Sequence, residues 1–135
     1  MADTGMVEAA PTWGPRMRSV LRIVAAYMFT LSGTGKLFNF PYSDEHKPVV
    51  LMSQIGLAGI LEFVGGALLL LGLFTRPVAF VLSGMMAVAY FQVHAPKGFW
   101  PTTNGGVPAV LYCFVFLYFA AAGAGPWSLD AKRGK

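Results

Sequence analysis

The sequence predicts an all-α integral membrane protein, a four-helix transmembrane bundle with both its N and C termini in the cytoplasm. Of the 135 residues, 56% are hydrophobic and only 12% are charged, whereas an ordinary soluble domain contains about 25% charged residues. A soluble domain of this length could not bury so much apolar surface in its core. The four apolar segments and the placement of the cations then give the bundle and its orientation.

The four apolar segments cover residues 20–40, 49–74, 78–93 and 107–123. Each is close to the ~20 residues that a helix needs to cross the hydrocarbon core of a bilayer. The runs are continuous and lack the alternation of apolar and polar residues that marks transmembrane strands. Proline and glycine cluster in the intervening segments, as connections between helices require. The third segment is the shortest of the four.

Cations predict the orientation of the bundle. With four spans, both termini and the second connection lie on one side of the membrane, and that side holds Arg16, Arg18, Arg22, Arg76, Lys132, Arg133 and Lys135. The opposite connections hold only Lys47 and Lys97. The excess of cations marks the cytoplasmic side. Because the net charge of +4 is distributed in this way, nucleic acid is not an expected partner.

The chain divides into three parts. Residues 1–17 form a flexible or interfacial N-terminal tail, residues 18–130 form the membrane domain, and residues 131–135 form a basic C-terminal tail. The one cysteine, Cys113, cannot form an intramolecular disulfide, and it is expected to be a packing residue. His46 and His94 with one distant cysteine do not make a zinc site, so no metal is expected. No nucleophile–base pair is visible, and no catalytic residue can be assigned.

Two charged residues, Lys36 and Glu62, lie inside the apolar segments. Lys36 lies about 24 Å from the cytoplasmic end of the first span and Glu62 about 18 Å from the same side of the second, at 1.5 Å per residue. The two levels differ by only about 6 Å on this geometry. Ionisable groups in lipid usually face the bundle interior with a partner, so we expect an ion pair. Snorkelling of Lys36 to the interface is the alternative.

Further polar residues are expected at the same end of the bundle. Tyr90 and His94 share one face of the third span, and Asn104 precedes the fourth. Ser53, Gly56, Gly59, Glu62 and Gly66 form a small-residue stripe on the second span, which allows close helix packing and is compatible with a homo-oligomer. The candidate ligand-binding residues are therefore Lys36, Glu62, Tyr90, His94 and Asn104. The residues leave open whether the Lys36–Glu62 pair is functional or only structural.

Several motifs of this sequence resemble those of the DoxX family of small four-helix bacterial membrane proteins. They are the G-x-x-K-L of "SGTGKL", the E-x-x-G-G of "LEFVGG", and the closing G-x-G-x-W-S-L-D of "GAGPWSLD". Together with "MMAVAYFQVHAPKGFWPTTNGG" they cover about residues 18–130. Relatives often carry a glutamate after "NGG", where this chain has Val107. The departure removes an acidic partner from that end of the bundle.

The resemblance implies a multi-pass protein of the bacterial inner membrane, linked to respiration, redox chemistry or oxidative stress. On this reading the chain is a subunit or accessory of a quinone-linked system, with a redox protein as its partner and a quinone as the expected ligand. Phe29, Tyr90 and Phe91 would line the apolar part of the pocket. The alternatives are a non-catalytic scaffold that anchors a partner protein, or a carrier of a small solute or lipid. Whether the protein is an enzyme stays open.

Overall fold

Helices make up the regular structure of the described chain. A computed structural model describes residues 13–40, 42 and 52–134, and it contains no strand in those ranges. The α-helices are α1 (Trp13–Phe38), α2 (Gln54–Leu71), α3 (Thr75–Ala89), α4 (Pro101–Asn104), α5 (Val107–Ala122) and α6 (Leu129–Lys132). A π-helical turn, Tyr90–His94, and a 3₁₀ turn, Ala95–Lys97, extend α3. The all-α prediction is confirmed for these residues.

Two of the helical segments are long and apolar enough to cross a membrane. They are Gln54–Leu71 and the extended third segment, Thr75–Lys97. α5 is apolar but has only 16 residues, a rise of about 24 Å at 1.5 Å per residue. The number of spans and the side of the membrane that holds the termini therefore stay predictions.

The first helix begins earlier than its apolar run predicts. α1 starts at Trp13 and not at Val20, so the last residues of the predicted N-terminal tail are already helical. Residues 1–12 and Lys135 lie outside the described ranges. Arg22, nine positions into α1, donates from Nε to the carbonyl oxygen of Leu69 at 2.8 Å. The first turns of α1 thus extend beyond the end of α2.

Local chemistry accounts for both ends of α2. The Ser53 hydroxyl accepts a hydrogen bond from the Gly56 N–H at 3.1 Å, the N-cap arrangement that satisfies an otherwise unpaired donor. Gly72 ends the helix with a left-handed φ of 70°, a conformation that costs glycine little. The Leu73 N–H then donates to the Leu68 carbonyl at 2.9 Å. The chain consequently turns within three residues and enters α3.

Glycines bring α1 and α2 into close contact. A Cβ added to Gly33 would lie 2.6 Å from the backbone nitrogen of Phe63, and one added to Gly59 would lie 3.2 Å from Cβ of Lys36. Gly56, Gly59, Glu62 and Gly66 are all buried, as the small-residue stripe predicts. Small residues at an interface of this kind let two backbones approach closely.

The core lies where α3 and α5 pack together and meet α1 and α2. Phe29 of α1 packs edge-on against Phe116 at 4.9 Å between ring centroids and tilts against Tyr112 at 5.2 Å. The Ser83 hydroxyl of α3 donates to the Cys113 carbonyl at 2.7 Å. The buried cluster consists of Ala26, Phe29, Leu69, Ala79, Leu82, Met86, Phe116 and Phe119. Cys113 packs against this cluster, which agrees with its expected packing role.

The outward faces of the helices are apolar. Met28 of α1, Phe80 of α3 and Phe114 of α5 are 57%, 65% and 63% exposed, and many other large apolar side chains share this placement. A monomeric soluble protein rarely exposes so extensive an apolar surface. Helices suit a lipid environment because each satisfies its own backbone hydrogen bonds.

We expect Gly33→Ala to destabilise the fold by roughly 1–3 kcal/mol, because the new methyl group would collide with the backbone of α2 and not with a movable side chain. The measurement is the midpoint of thermal unfolding in a mild detergent. Gly35→Ala is the matched control, since a Cβ there meets nothing within 4 Å. It should leave the midpoint unchanged or raise it, because alanine is the better helix former. Equal midpoints for the two variants would contradict the close approach of α1 and α2.

Candidate functional site

Lys36 and Glu62 form the ion pair that their positions predict. Lys36 Nζ lies 2.9 Å from Oε1 and 3.2 Å from Oε2 of Glu62, and it also donates to the Ser32 hydroxyl at 3.1 Å. The Glu62 side chain is 5% exposed, whereas the Lys36 side chain is 34% exposed. The Lys36 ammonium is therefore accessible as a charged hydrogen-bond donor, whereas the Glu62 carboxylate is nearly enclosed.

The close contact of α1 and α2 positions this pair. Gly33 precedes Lys36 by one helical turn, and a Cβ on it would touch the backbone of Glu62 at 3.0 Å. The two side chains consequently meet where the backbones of the two helices approach closely. Phe38 and Phe63 form an edge-to-face aromatic contact at 5.7 Å and are 62% and 37% exposed. These two accessible rings follow Lys36 and Glu62 closely in the sequence.

Tyr90, His94 and Asn104 form a second polar cluster. Asn104 is 3% exposed, and its Nδ2 donates to the Tyr90 hydroxyl at 3.2 Å and to the Gly98 carbonyl at 2.9 Å. His94 Nδ1 lies 3.1 Å from the Asn104 carbonyl oxygen. A carbonyl oxygen only accepts, so His94 Nδ1 carries a proton in this contact. In the neutral ring, Nε2 is then the acceptor.

The π-helical turn Tyr90–His94 presents this second cluster. The Ala95 N–H reaches back to the Tyr90 carbonyl, five residues earlier, which widens the turn. Such turns are rare and frequently occur at functional sites. Gln92 within the turn is hydrogen-bonded to Gln54 at the start of α2. The cluster therefore lies at the same end of the bundle as the Lys36–Glu62 pair.

The five predicted site residues thus form two groups. Lys36 pairs with Glu62, while Tyr90, His94 and Asn104 bond to one another and to nearby backbone. Within residues 13–40, 42 and 52–134, no hydrogen bond or ion pair joins the two groups. Their role in binding a ligand stays a prediction. Phe29, predicted to line a pocket, is 1% exposed and belongs to the core, whereas Phe91 is 70% exposed.

Arg22 has a role that its position in the sequence does not suggest. Although it resembles a flanking cation, it is 1% exposed. Its guanidinium donates to four backbone carbonyls, those of Leu69, Leu70, Ala124 and Trp127. The first two belong to the last turn of α2, whose carbonyls have no partner within the helix. Arg22 therefore bonds α1, the end of α2 and the segment after α5 to one another.

Asp130 completes the start of α3. Its carboxylate accepts hydrogen bonds from the backbone N–H groups of Phe74 and Thr75, each at 2.9 Å. Phe74 has a left-handed φ of 53°, and its own side chain forms no cap. The carboxylate is thus an N-cap supplied from 55 residues away, and its negative charge is favourable at a helix N-terminus.

The electrostatics of Asp130 follow from these bonds. Burial by itself would raise the pKa of Asp130, but the Thr75 N–H and hydroxyl, the Phe74 N–H and Arg133 outweigh it. The pKa of this carboxyl therefore lies below its ordinary value, and Asp130 is ionised at neutral pH. The motif W-S-L-D at the end of "GAGPWSLD" was the only sequence signal for this arrangement, and it carried no indication of its partners.

Comparison with known proteins assigns the family. A model of the DoxX family matches residues 17–95, more than half of the chain. The chain belongs to the DoxX family. The matched region contains Arg22, Lys36, Glu62, Tyr90 and His94. The ion pair and the π-helical turn therefore both lie within it.

Two bacterial proteins are similar to this DoxX chain over most of their length. An uncharacterized protein of Haemophilus influenzae is 50% identical over 122 residues, covering 87% of this chain and 91% of its own. An uncharacterized membrane protein of Mycobacterium tuberculosis is 28% identical over 161 residues, covering 100% of this chain and 95% of its own. No solved structure matches the chain.

We expect the two single substitutions that break the ion pair to differ in cost. Lys36→Met leaves a nearly enclosed carboxylate without its partner, which we expect to cost roughly 3–5 kcal/mol. Glu62→Leu should cost less, since the partly exposed ammonium can turn toward the surface. The measurement is thermal unfolding in detergent, with Lys36→Met/Glu62→Leu as the third variant. A double variant no more stable than Lys36→Met would contradict the pairing.

The contribution of Asp130 to the stability of the fold should be lost at acid pH. Because its pKa is lower in the folded than in the unfolded protein, its contribution is present above the unfolded value of 3.8 and is lost as pH falls through the folded value. Asp130→Asn should therefore unfold at a lower temperature than the native protein at pH 7, and the difference should shrink below about pH 4. Thermal scans between pH 2.5 and 7 measure it. A difference that is constant with pH would contradict the charged cap.

Proposed function

We propose that this DoxX protein is a multi-pass protein of the bacterial inner membrane that crosses the bilayer four times, with both termini in the cytoplasm. Three features support the proposal: the apolar outer faces of the helices, the description of the M. tuberculosis relative as a membrane protein, and the excess of cations at one end. Arg18, Arg22 and Arg76 all lie at the end opposite Lys36, as the positive-inside rule requires of a cytoplasmic end.

We further propose that the protein is a subunit or accessory of a quinone-linked respiratory or redox system, and that it binds a quinone or a similar lipophilic carbonyl compound. The observation that carries this proposal is the Lys36–Glu62 pair, with its 34% exposed ammonium and 5% exposed carboxylate. An ionisable pair at membrane depth is costly and by default marks a functional site. A positively charged donor there suits the carbonyl oxygen of a hydrophobic molecule.

Each residue of the proposed site has a defined task. Glu62 accepts from the Lys36 ammonium through both oxygens and so orients it. A ligand carbonyl accepts from that ammonium in place of the Ser32 hydroxyl, which forms the more exposed of its bonds. Phe38 and Phe63 offer aromatic surface to the ring of the ligand, since binding sites are mostly apolar with a few oriented polar groups. His94 Nε2 is a second polar group at the same end.

Reduction of a quinone to a quinol adds two electrons and two protons. The task we assign to this chain is to bind the ligand and orient its carbonyl group, and a redox partner protein supplies the electrons. Lys36 would donate one of the two protons to a reduced carbonyl oxygen, and water would supply the second proton and protonate Lys36 again. Glu62 pairs with the ammonium that re-forms. The proposal therefore requires a complex between this chain and a second protein.

The test measures binding of a short-chain ubiquinone analogue to the purified protein in detergent, by quenching of intrinsic tryptophan fluorescence. Lys36→Met should weaken binding at least tenfold, because the charged donor is removed. Lys97→Met is the matched control, since Lys97 is an exposed lysine in the 3₁₀ turn at the same end, and it should bind like the native protein. Equal affinities for the two variants, or no binding by the native protein, would overturn the proposal.

A scaffold is the second candidate function. It is favoured by the fact that both Glu62 oxygens already accept from Lys36, so the pair is satisfied without a ligand. In that case the Lys36→Met/Glu62→Leu variant should assemble with its partner as well as the native protein does, because well-packed apolar residues often replace a buried ion pair without loss. Under the quinone proposal the same variant folds but does not bind the ligand.

A further inference from the structure

A groove opens at the end of the bundle opposite the Lys36–Glu62 pair. It has a volume of about 560 Å³ and lies between the start of α3, the end of α5 and the first turns of α1. This volume is within the range of small-molecule sites, about 300–1,000 Å³. Arg18 of α1 and Arg76 of α3 line it from two sides, so two guanidinium groups face one space.

The first of these arginines is unpaired. Arg18 forms no hydrogen bond or ion pair with another described residue, and its Nε is buried without a partner. A buried donor without a partner costs free energy comparable to a lost hydrogen bond. The groove wall therefore offers one buried donor, the Arg18 Nε, that no other described residue uses.

The second arginine is held in place but keeps donors. Arg76 Nη1 donates to the Ala121 carbonyl at 2.7 Å, which anchors the side chain to the end of α5. Its Nη2 and Nε lie 3.4 and 3.5 Å from the position that a Cβ on Gly123 would occupy. Gly123 lines the groove, so no side chain at that position covers these nitrogens. A planar guanidinium of this kind suits bidentate contacts to phosphate oxygens.

A carboxylate also lines the groove, and its charge is offset. Asp130 directs both oxygens to the N–H groups of Phe74 and Thr75. Arg22 and Arg133 both interact electrostatically with it. Its negative charge thus already interacts with a helix N-terminus and two further arginines, whereas Arg18 and Arg76 are the two cationic side chains that line the groove.

We propose that this groove binds a phosphate group, with Arg18 and Arg76 as its ligands, and that the phosphate belongs to the headgroup of an anionic phospholipid. Basic pockets between helices at the cytoplasmic surface of a membrane suit such headgroups. Phe74, Pro77 and Ala122 supply apolar walls that suit the first methylene groups of the acyl chains. Free phosphate shares the same chemistry and is the other source that the experiment separates. The proposal does not depend on the ligand at Lys36.

The experiment measures lipid binding to the full chain by native mass spectrometry from detergent micelles. The probes are phosphatidylglycerol, phosphatidylcholine and inorganic phosphate. The native protein should retain phosphatidylglycerol at least tenfold more tightly than phosphatidylcholine. Arg18→Gln/Arg76→Gln should abolish this preference. Arg16→Gln/Lys132→Gln is the matched control, since it removes two cations at the same end that do not line the groove, and it should keep the preference.

Outcomes separate the sources and test the site. Phosphatidylglycerol binding that needs both arginines, with no binding of inorganic phosphate, identifies the lipid. Arginine-dependent binding of inorganic phosphate with no lipid preference supports a phosphate site and overturns the lipid assignment. Equal losses in the two double variants, or no binding of either anion by the native protein, overturn the site. Should the glutamine variant fail to fold, Arg18→Lys/Arg76→Lys keeps the charges, and its binding should be intermediate.

Discussion

The guanidinium of Arg22 organises the end of the bundle that carries the cations. One side chain, enclosed in an apolar helix, donates to four carbonyl oxygens that come from the end of α2 and from the segment after α5. A buried charge is costly unless hydrogen bonds replace its water, and here backbone dipoles supply them. The geometry of arginine suits the task, because its five N–H groups form a rigid fork. A lysine could not reach carbonyls in so many directions.

This arrangement gives the two ends of the bundle different characters. At the Arg22 end, side chains bond to backbone of distant segments and hold the ends of several helices. At the Lys36 end, the ionisable groups face one another or a π-helical turn, and the ammonium stays one-third exposed. Polar groups whose partners are all backbone fix structure, whereas a partly exposed charge retains the capacity to bind. The proposed quinone site lies at the Lys36 end, whereas the proposed phosphate groove lies at the Arg22 end, beside side chains that fix structure.

Sequence reasoning succeeded where one physical rule acts alone. The apolar runs located the long helices, and a rise of 1.5 Å per residue was enough to match Lys36 with Glu62. It failed where the partner is backbone, because a carbonyl oxygen has no signature in the sequence. Arg22 looked like one more flanking cation for that reason, and Asp130 like an unremarkable acidic residue of a closing motif.

Helix boundaries and side-chain clusters show the same division. The sequence does not indicate that α1 starts at Trp13, because residues 13–19 are rich in arginine and form no apolar run. Tyr90, His94 and Asn104 were placed at the correct end of the bundle. The sequence could not show that they bond among themselves and not to Lys36 or Glu62, since depth along a helix follows from counting, whereas rotation about its axis depends on packing. The π-helical turn Tyr90–His94 has no recognisable sequence pattern either.

The dependence of α3 on Asp130 has a consequence for biosynthesis. Thr75 leaves the ribosome 55 residues before the carboxylate that caps it. Until then, the left-handed Phe74 has no partner to hold it, and such a conformation costs on the order of 1–3 kcal/mol. α3 can therefore form early, but the N–H groups of its first turn gain their carboxylate acceptor only after translation has passed residue 130. Any earlier stop would release a chain whose helices have formed and whose junctions remain open.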